Sequence, residues 1–441
     1  MNLQNKKLIK EMAVFALPYL FSYFLQTLYG MADLFIIGQF DTVASTTAVS
    51  IGSQVMHMIT VMIVGLAMGS TVIIARNKGA KKEENVSISI ANTITLFTSL
   101  SILLTIILLL LSKNIVQIMS TPSEATTGTL HYLIICFIGI PCITAYNIIS
   151  SIFRGLGDSK SPMYFIGVAC IINILLDYLF MGYFHLGPIG AALGTTLSQA
   201  FSVIFALIWI KKKDLGIHLR KKDFSFHPTI FKQILRIGIP VALQDGFIQI
   251  AFIVITIIAN KRGLNQAAAV GIVEKIISFL FLVPSSMLST ISALGAQYIG
   301  AKQKENTSSL LKYGIIITCS FGLIVGILIQ FIAGNVVNLF NHDPLVINYG
   351  AQYLRGYIWD CFFAGIHFSF SGFFCAYGRS EISFIHNICA ILLVRIPGVY
   401  LTSLYFPATL YPMGLATACG SLFSVIICIV AYKLLQKNKI F

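Results

Sequence analysis

In the first half of this 441-residue sequence, the acids that fall inside long apolar stretches reduce to two, Asp33 and Asp177. A carboxylate in such a setting costs several kcal/mol unless it has a partner or a task. Asn173 stands four residues before Asp177, on the same face of a helix. Thr195 and Asn147 lie on neighbouring apolar stretches and can point into the same bundle. The expected result is an oxygen-rich cluster holding two carboxylates. Burial and mutual repulsion let one of two such acids take up and release a proton. Ionised, the same acids with amide and hydroxyl oxygens can ligate a hard cation, so Asp33, Asn173, Asp177 and Thr195 form a candidate Na+ site. Pro18, fifteen residues before Asp33, removes a helix hydrogen bond and predicts a bend in the helix carrying the acid.

The second half does not copy this cluster. Its apolar stretches carry Gln244, Asp245 and Gln249, then Glu274 with Lys275, then Arg355, Asp360 and His367, and finally Arg395. The opposite signs predict internal ion pairs, with a part in substrate binding or gating as the alternative. The nine cysteines show no CxxC or Cys/His spacing, so neither a zinc site nor a disulfide framework is expected. The sequence has no GxxxxGK[ST] phosphate loop, nucleophile triad or metal-hydrolase motif, which leaves no basis for an enzyme and none for a bound cofactor.

The elements that position these residues are read from composition. With 57% hydrophobic and 10% charged residues and a mean hydropathy of +0.85, the chain belongs in a bilayer. Twelve apolar stretches are each long enough to cross it as helices: 12–37, 47–75, 86–111, 128–153, 162–182, 188–210, 236–259, 264–295, 308–333, 346–376, 383–404 and 410–433. They fall into two related halves. Gly79-Ala80-Lys81 with Glu84-Asn85 recurs as Gly300-Ala301-Lys302 with Glu305-Asn306, and Arg154 to Asp158 falls opposite Cys375 to Arg379. Duplication on this scale is common in secondary transporters. The reading is an all-α integral membrane protein: a six-helix lobe at 1–210, a polar cytoplasmic linker at 211–227 and a second six-helix lobe at 228–441.

The net charge of +14 does not indicate nucleic acid, because the basic residues gather on alternate loops. Lys6, Lys7 and Lys10, Arg76 to Lys82, Arg154 and Lys160, the linker, Lys302 and Lys304, Arg379, and Lys437 and Lys439 lie on one side, which places both termini in the cytoplasm. Lys261 and Arg262 are the exception. The start runs into the first span without a small-residue cleavage site, so no removable signal peptide is expected.

In sequence order, Tyr29-Gly30-Met31-Ala32-Asp33 followed by Ile37-Gly38, Arg154-Gly155-x-Gly157-Asp158, Asn173-x-x-x-Asp177 and Gly187-Pro188-x-Gly190-Ala191-Ala192 leading to Thr195 resemble the multidrug and toxic compound extrusion (MATE) family. Within it the chain is similar to the DinF-like bacterial branch. The resemblance implies two helical bundles that alternate between inward-open and outward-open states in a bacterial plasma membrane. They would export hydrophobic, often cationic, compounds against inward flow of H+ or Na+, as a monomer. It assigns the coupling site to Asp33, Asn173, Asp177 and Thr195, adds the Ala191 carbonyl as a further oxygen, and gives Pro18 the role of bending the first helix. One departure is evident: the acids of the NorM-like branch in spans 7 and 10 align with Ile248 and Ala364, with Asp245 and Asp360 about one turn away. Coupling is therefore expected in the first lobe. The competing readings are a lipid-linked precursor flippase of the same superfamily and, more distantly, a major facilitator transporter.

Overall fold

The computed structural model describes residues 3–213 and 219–438; residues 214–218 of the expected linker, and Lys439, lie outside them. Helices account for the architecture, and no strand occurs among the described residues. In order they are α1 (Leu3–Phe40), α2 (Val43–Gly79), α3 (Glu83–Ile118), α4 (Ser123–Ile138), α5 (Ile140–Gly155), α6 (Lys160–Asp177), α7 (Gly187–Lys212) and α8 (Pro228–Asn260). There follow α9 (Leu264–Leu280), α10 (Leu282–Gly300), α11 (Lys304–Asn338), α12 (Pro344–Tyr357), α13 (Trp359–Ala376), α14 (Ser380–Ala390), α15 (Ile396–Tyr405) and α16 (Tyr411–Lys437). Among the described residues, eleven helices, counting those continued across short breaks, are long and apolar enough to span a membrane; α4 with α5 makes a twelfth, bent by 49°. These are the twelve stretches expected from hydropathy.

The bend has a local cause. Pro141 has no N–H to return to the preceding turn, and Gly139 at the junction lies where a Cβ would run into Thr196. Two further breaks are π-helical turns, Tyr178–Tyr183 after α6 and Ile391–Arg395 before α15. Widened turns of this kind occur often at functional sites.

The duplication is visible in backbone geometry. Lys81 and Lys302, at the same place in the repeated Gly-Ala-Lys loop, both adopt positive φ, at 55° and 60°. Lys82 N–H closes on Asn77 O at 3.1 Å, and Gln303 N–H closes on Tyr298 O at 2.8 Å. Gly157 and Gly378 also match, at φ 95° and 74°, where a residue with a Cβ would be strained.

Contacts group the chain into two compact units, Leu17–Gly238 and Met1–Ala16 with Ile239–Phe441. In the first, a short 3-10 turn, Lys221–Phe224, sits on α3. Asn92 of α3 fastens it, donating to Asp223 O at 3.2 Å and accepting from His227 N–H at 3.0 Å. Backbones of α2 and α8 approach closely here, because a Cβ on Gly69 would strike Ile234 O and one on Gly238 would strike Leu66 O. In the second unit, Gly356 and Gly414 give α12 and α16 the same close approach. The loop cation that departs from the charge pattern is also explained in this unit: Arg262 Nη2 donates to the carbonyls of Phe406, Pro407 and Thr409 at 3.0, 2.6 and 3.3 Å. Arg262 therefore caps the end of α15, which leaves backbone carbonyls without helical partners.

Candidate ion-coupling site

Asp33 lies on α1, and Asp177 is the last residue of α6, at the start of the π turn. The two are 2% and 0% exposed. Thr195, on α7, donates its hydroxyl to Asp33 Oδ2 at 2.9 Å. Asp177 and Asn173 act on the Asp33 carboxyl from α6, with no formed hydrogen bond to it. Four of the residues expected to cluster are therefore brought together from three helices. Ala191 is fully buried one turn before Thr195 and packs in the same core as Ile36 and Ile37.

Satisfaction of these groups is incomplete. Asp33 Oδ1, both Asp177 oxygens and both polar atoms of Asn173 are buried without a fixed partner. Two ionised carboxylates are acceptors only, so neither can satisfy the other; a bond between them requires a proton on one. Two unit charges 4 Å apart repel by about 4 kcal/mol at an effective dielectric of 20. The arrangement thus calls for positive charge, as a shared proton or as a cation held by the carboxylates, the Asn173 oxygen and the Thr195 hydroxyl.

Sequence reasoning missed Gly194. It precedes Thr195 on α7, and a Cβ there would collide with the Asp177 carboxylate, so its missing side chain makes room for the acid. Tyr29, Tyr132 and Cys136 also come within electrostatic reach of Asp33. Tyr29 is one turn before Asp33, a spacing that was available as a signal.

Asn147 is not brought to the acids. Its amide donates to Ile143 O on its own helix at 2.8 Å and lines a separate cavity of about 10 Å³ with Tyr19, Tyr23, Thr71, Ser151 and Arg154. There the Arg154 guanidinium lies 4.3 Å from the centre of the Tyr19 ring. The bend at Gly139 redirects α5, so a face predicted for a straight span does not carry through. Pro18 is buried inside a continuous α1, and Ser22 bonds the Pro18 carbonyl at 2.7 Å.

The expected ion pairs of the second half are realised in part. Arg395 Nη2 meets Asp360 Oδ2 at 2.7 Å and Ser421 Oγ at 3.1 Å, with Asp360 fully buried. Glu274 does not pair with Lys275, which is exposed; it accepts from Thr256 at 3.0 Å, leaving Oε1 buried and unpartnered. His367 is 4% exposed with Nδ1 unpartnered, and Gln244 is 2% exposed with Oε1 unpartnered. Asp245 and Gln249 are half-buried on α8. Among the described residues, no group of three or more His, Cys, Asp and Glu side chains could hold a metal.

A helical membrane protein of twelve spans, duplicated and with a paired acid in its interior, is built as a transporter rather than an enzyme. The chain belongs to the MatE family of transporters, whose profile matches twice, over residues 18–179 and 240–401. It is 25% identical over 403 residues to the probable multidrug resistance protein YoeA of Bacillus subtilis (strain 168), covering 90% of this chain and 87% of that protein. The multidrug export protein MepA of Staphylococcus haemolyticus is 23% identical over 381 residues, 86% of this chain and 83% of its own. In fold, the chain matches a MATE protein crystallised in a bent conformation with a TM-score of 0.90 at 23% identity, over 100% of this chain and 98% of that one. A multidrug resistance MATE transporter in an outward-facing conformation gives a TM-score of 0.90 at 23% identity, over 98% and 96%.

Proposed function

We propose that this protein is a secondary active multidrug antiporter, exporting hydrophobic or cationic compounds in exchange for H+ or Na+ by alternating access. The observation that carries the coupling is the pair Asp33 and Asp177, buried together with Thr195 as the one fixed partner of Asp33 and none for Asp177. Such a pair binds positive charge when closed to water and releases it on exposure. The similarity to the multidrug proteins YoeA and MepA supports multidrug compounds as substrates. In this reading Asn173, Thr195 and the Ala191 carbonyl complete the ion site, and Pro18 lets α1 bend as the site loads. The lobes 1–210 and 228–441 alternate, the protein acts as a monomer in a bacterial plasma membrane, and both termini face the cytoplasm. Each charge entering down 100 mV supplies about 2.3 kcal/mol, enough for one or two ions per cycle to drive accumulation outside.

The test is efflux of a fluorescent organic cation from proteoliposomes under a proton gradient and a sodium gradient imposed separately, for wild type, Asp33→Asn and Asp177→Asn. Efflux driven by one gradient and lost in both variants supports the reading and names the ion. Full efflux in both variants refutes the coupling site. No efflux from inserted wild type under either gradient favours the flippase and moves the assay to lipid-linked substrates.

A further inference from the structure

The second unit contains a cavity of opposite chemistry. It measures about 30 Å³ and is lined by His367, Asn387, Arg395, Ser421 and Ser424 against apolar walls that include Phe281 and Phe368. We infer that this cavity is a binding site for one small monovalent anion of chloride size, held by Arg395, His367 and Asn387.

Three observations carry the assignment. The first is spare donors. Among the described residues, the only Arg395 nitrogen with a bonded protein partner is Nη2, which serves Asp360 and Ser421; this leaves Nε–H and the Nη1 hydrogens of a 7% exposed guanidinium uncommitted. His367 is 4% exposed and lines the cavity, and its ring has one N–H to give, on whichever nitrogen the tautomer places it. Asn387 commits one amide hydrogen to Ser383 O at 3.0 Å and keeps another. The second observation is polarity: no carboxylate lines the cavity. Asp360 reaches Arg395 through Nη2, so that carboxylate offsets part of the cation without filling its remaining donors. The third is size. A void needs roughly 10–15 Å³ to take one water, so this one admits a halide or a pair of waters and nothing larger without rearrangement.

The site lies in the repeat that lacks the paired acids, although the two π turns do not fall at the same place in the repeat. The eleventh span is the counterpart of the fifth, and its π turn ends at Arg395, whereas the fifth span's π turn begins directly after Asp177. One unit presents paired carboxylates beside its widened turn, and the other presents a guanidinium. An anion retained by the second unit would leave the acids of the first free to load and unload, so the inference stands independently of how the coupling ion is identified.

The full-length protein in detergent, with gluconate as the sole anion at constant ionic strength, is unfolded thermally while tryptophan fluorescence is followed. Gluconate is then replaced stepwise by chloride or bromide. The expected result is a saturable rise in Tm with a millimolar midpoint, because a ligand of the folded state stabilises it by mass action. Asn387→Leu and His367→Phe are expected to raise the midpoint at least tenfold, and Asp33→Asn to leave it unchanged. Crystals grown in bromide are expected to show its anomalous scattering between Arg395 and His367. A Tm indifferent to halide, as a cavity holding water alone would give, overturns the assignment. So does an equal midpoint in wild type and both cavity variants, or bromide found only elsewhere.

Discussion

Gly194→Ala adds one methyl group at the point where α7 meets the Asp177 carboxylate. The new carbon would overlap Asp177 Oδ1 and lie 3.2 Å from its Cγ. Normal carbon–oxygen contact starts near 3.3 Å, so the carboxyl must swing away by about 1 Å, or α7 must retreat from α6; overpacking of this kind costs about 1–3 kcal/mol. Stability bears part of that cost, but the larger effect falls on transport, since a misplacement of about 1 Å in a reacting group can cost about 100-fold. Gradient-driven efflux in proteoliposomes is therefore expected to fall by about 10- to 100-fold in Gly194→Ala, with protein still inserted and folded. Gly30→Ala is the matched control. It sits one turn from Asp33 on α1 with no atom within 4 Å of the added carbon, and as a helical Gly-to-Ala change it is expected to be neutral or stabilising by up to about 1 kcal/mol. Wild-type efflux in Gly194→Ala, or an equal loss in both variants, would refute the argument that the α7 glycine positions the acid.

Asp360→Ala strands Arg395 in the interior and is expected to cost about 3–5 kcal/mol in a denaturant titration, while Asp360→Leu with Arg395→Met recovers most of it. Arg262→Ala releases three carbonyls at the end of α15 and is expected to lower stability by about 2 kcal/mol, with Arg262→Lys intermediate because one ammonium cannot serve all three. Asp158 caps the start of α6 through Lys160 N–H and Ser161 N–H at 3.0 Å each and pairs with Lys213 at 2.7 Å. Burial works to raise its pKa, but the Lys213 ammonium, the Ser161 hydroxyl and the Ser161 amide outweigh it and hold the carboxyl below its ordinary 3.8. The stabilisation is thus complete above pH 3.8 and lost as pH falls through the lower folded value; with both partners partly exposed it amounts to less than about 1 kcal/mol. Asp158→Asn keeps the cap, so its thermal stability is expected to vary less than wild type's between pH 5 and 3.

The helices were legible because each apolar stretch is long and bounded by charge or turn residues, and the paired acids because carboxylates inside such stretches are rare. Thr195 could be placed on a neighbouring span, and it does meet Asp33. Features that depend on how two helices approach were not legible. Gly194 reads as one more glycine until the distance from α6 to α7 is known. Asn147 could not be assigned to a face, because the 49° bend between α4 and α5 changes where that face looks. Glu274 and Lys275 invited a pairing by sign, but adjacent residues of a helix point in different directions. Glu274 turns inward to Thr256 while Lys275 stays exposed.

The division into compact units bears on how such a chain could be cut and reassembled. The sequence repeats meet near the polar segment, yet α1 contributes its opening residues up to Ala16 to one unit and the rest to the other, and α8 changes over at Gly238. A gene split within 211–227 would yield two polypeptides, each carrying a helical end that belongs to the other's compact unit. Neither fragment alone would contain a whole unit, and co-expression would have to restore both exchanges at once. The border inherited from duplication and the border drawn by the contacts are therefore different in this protein.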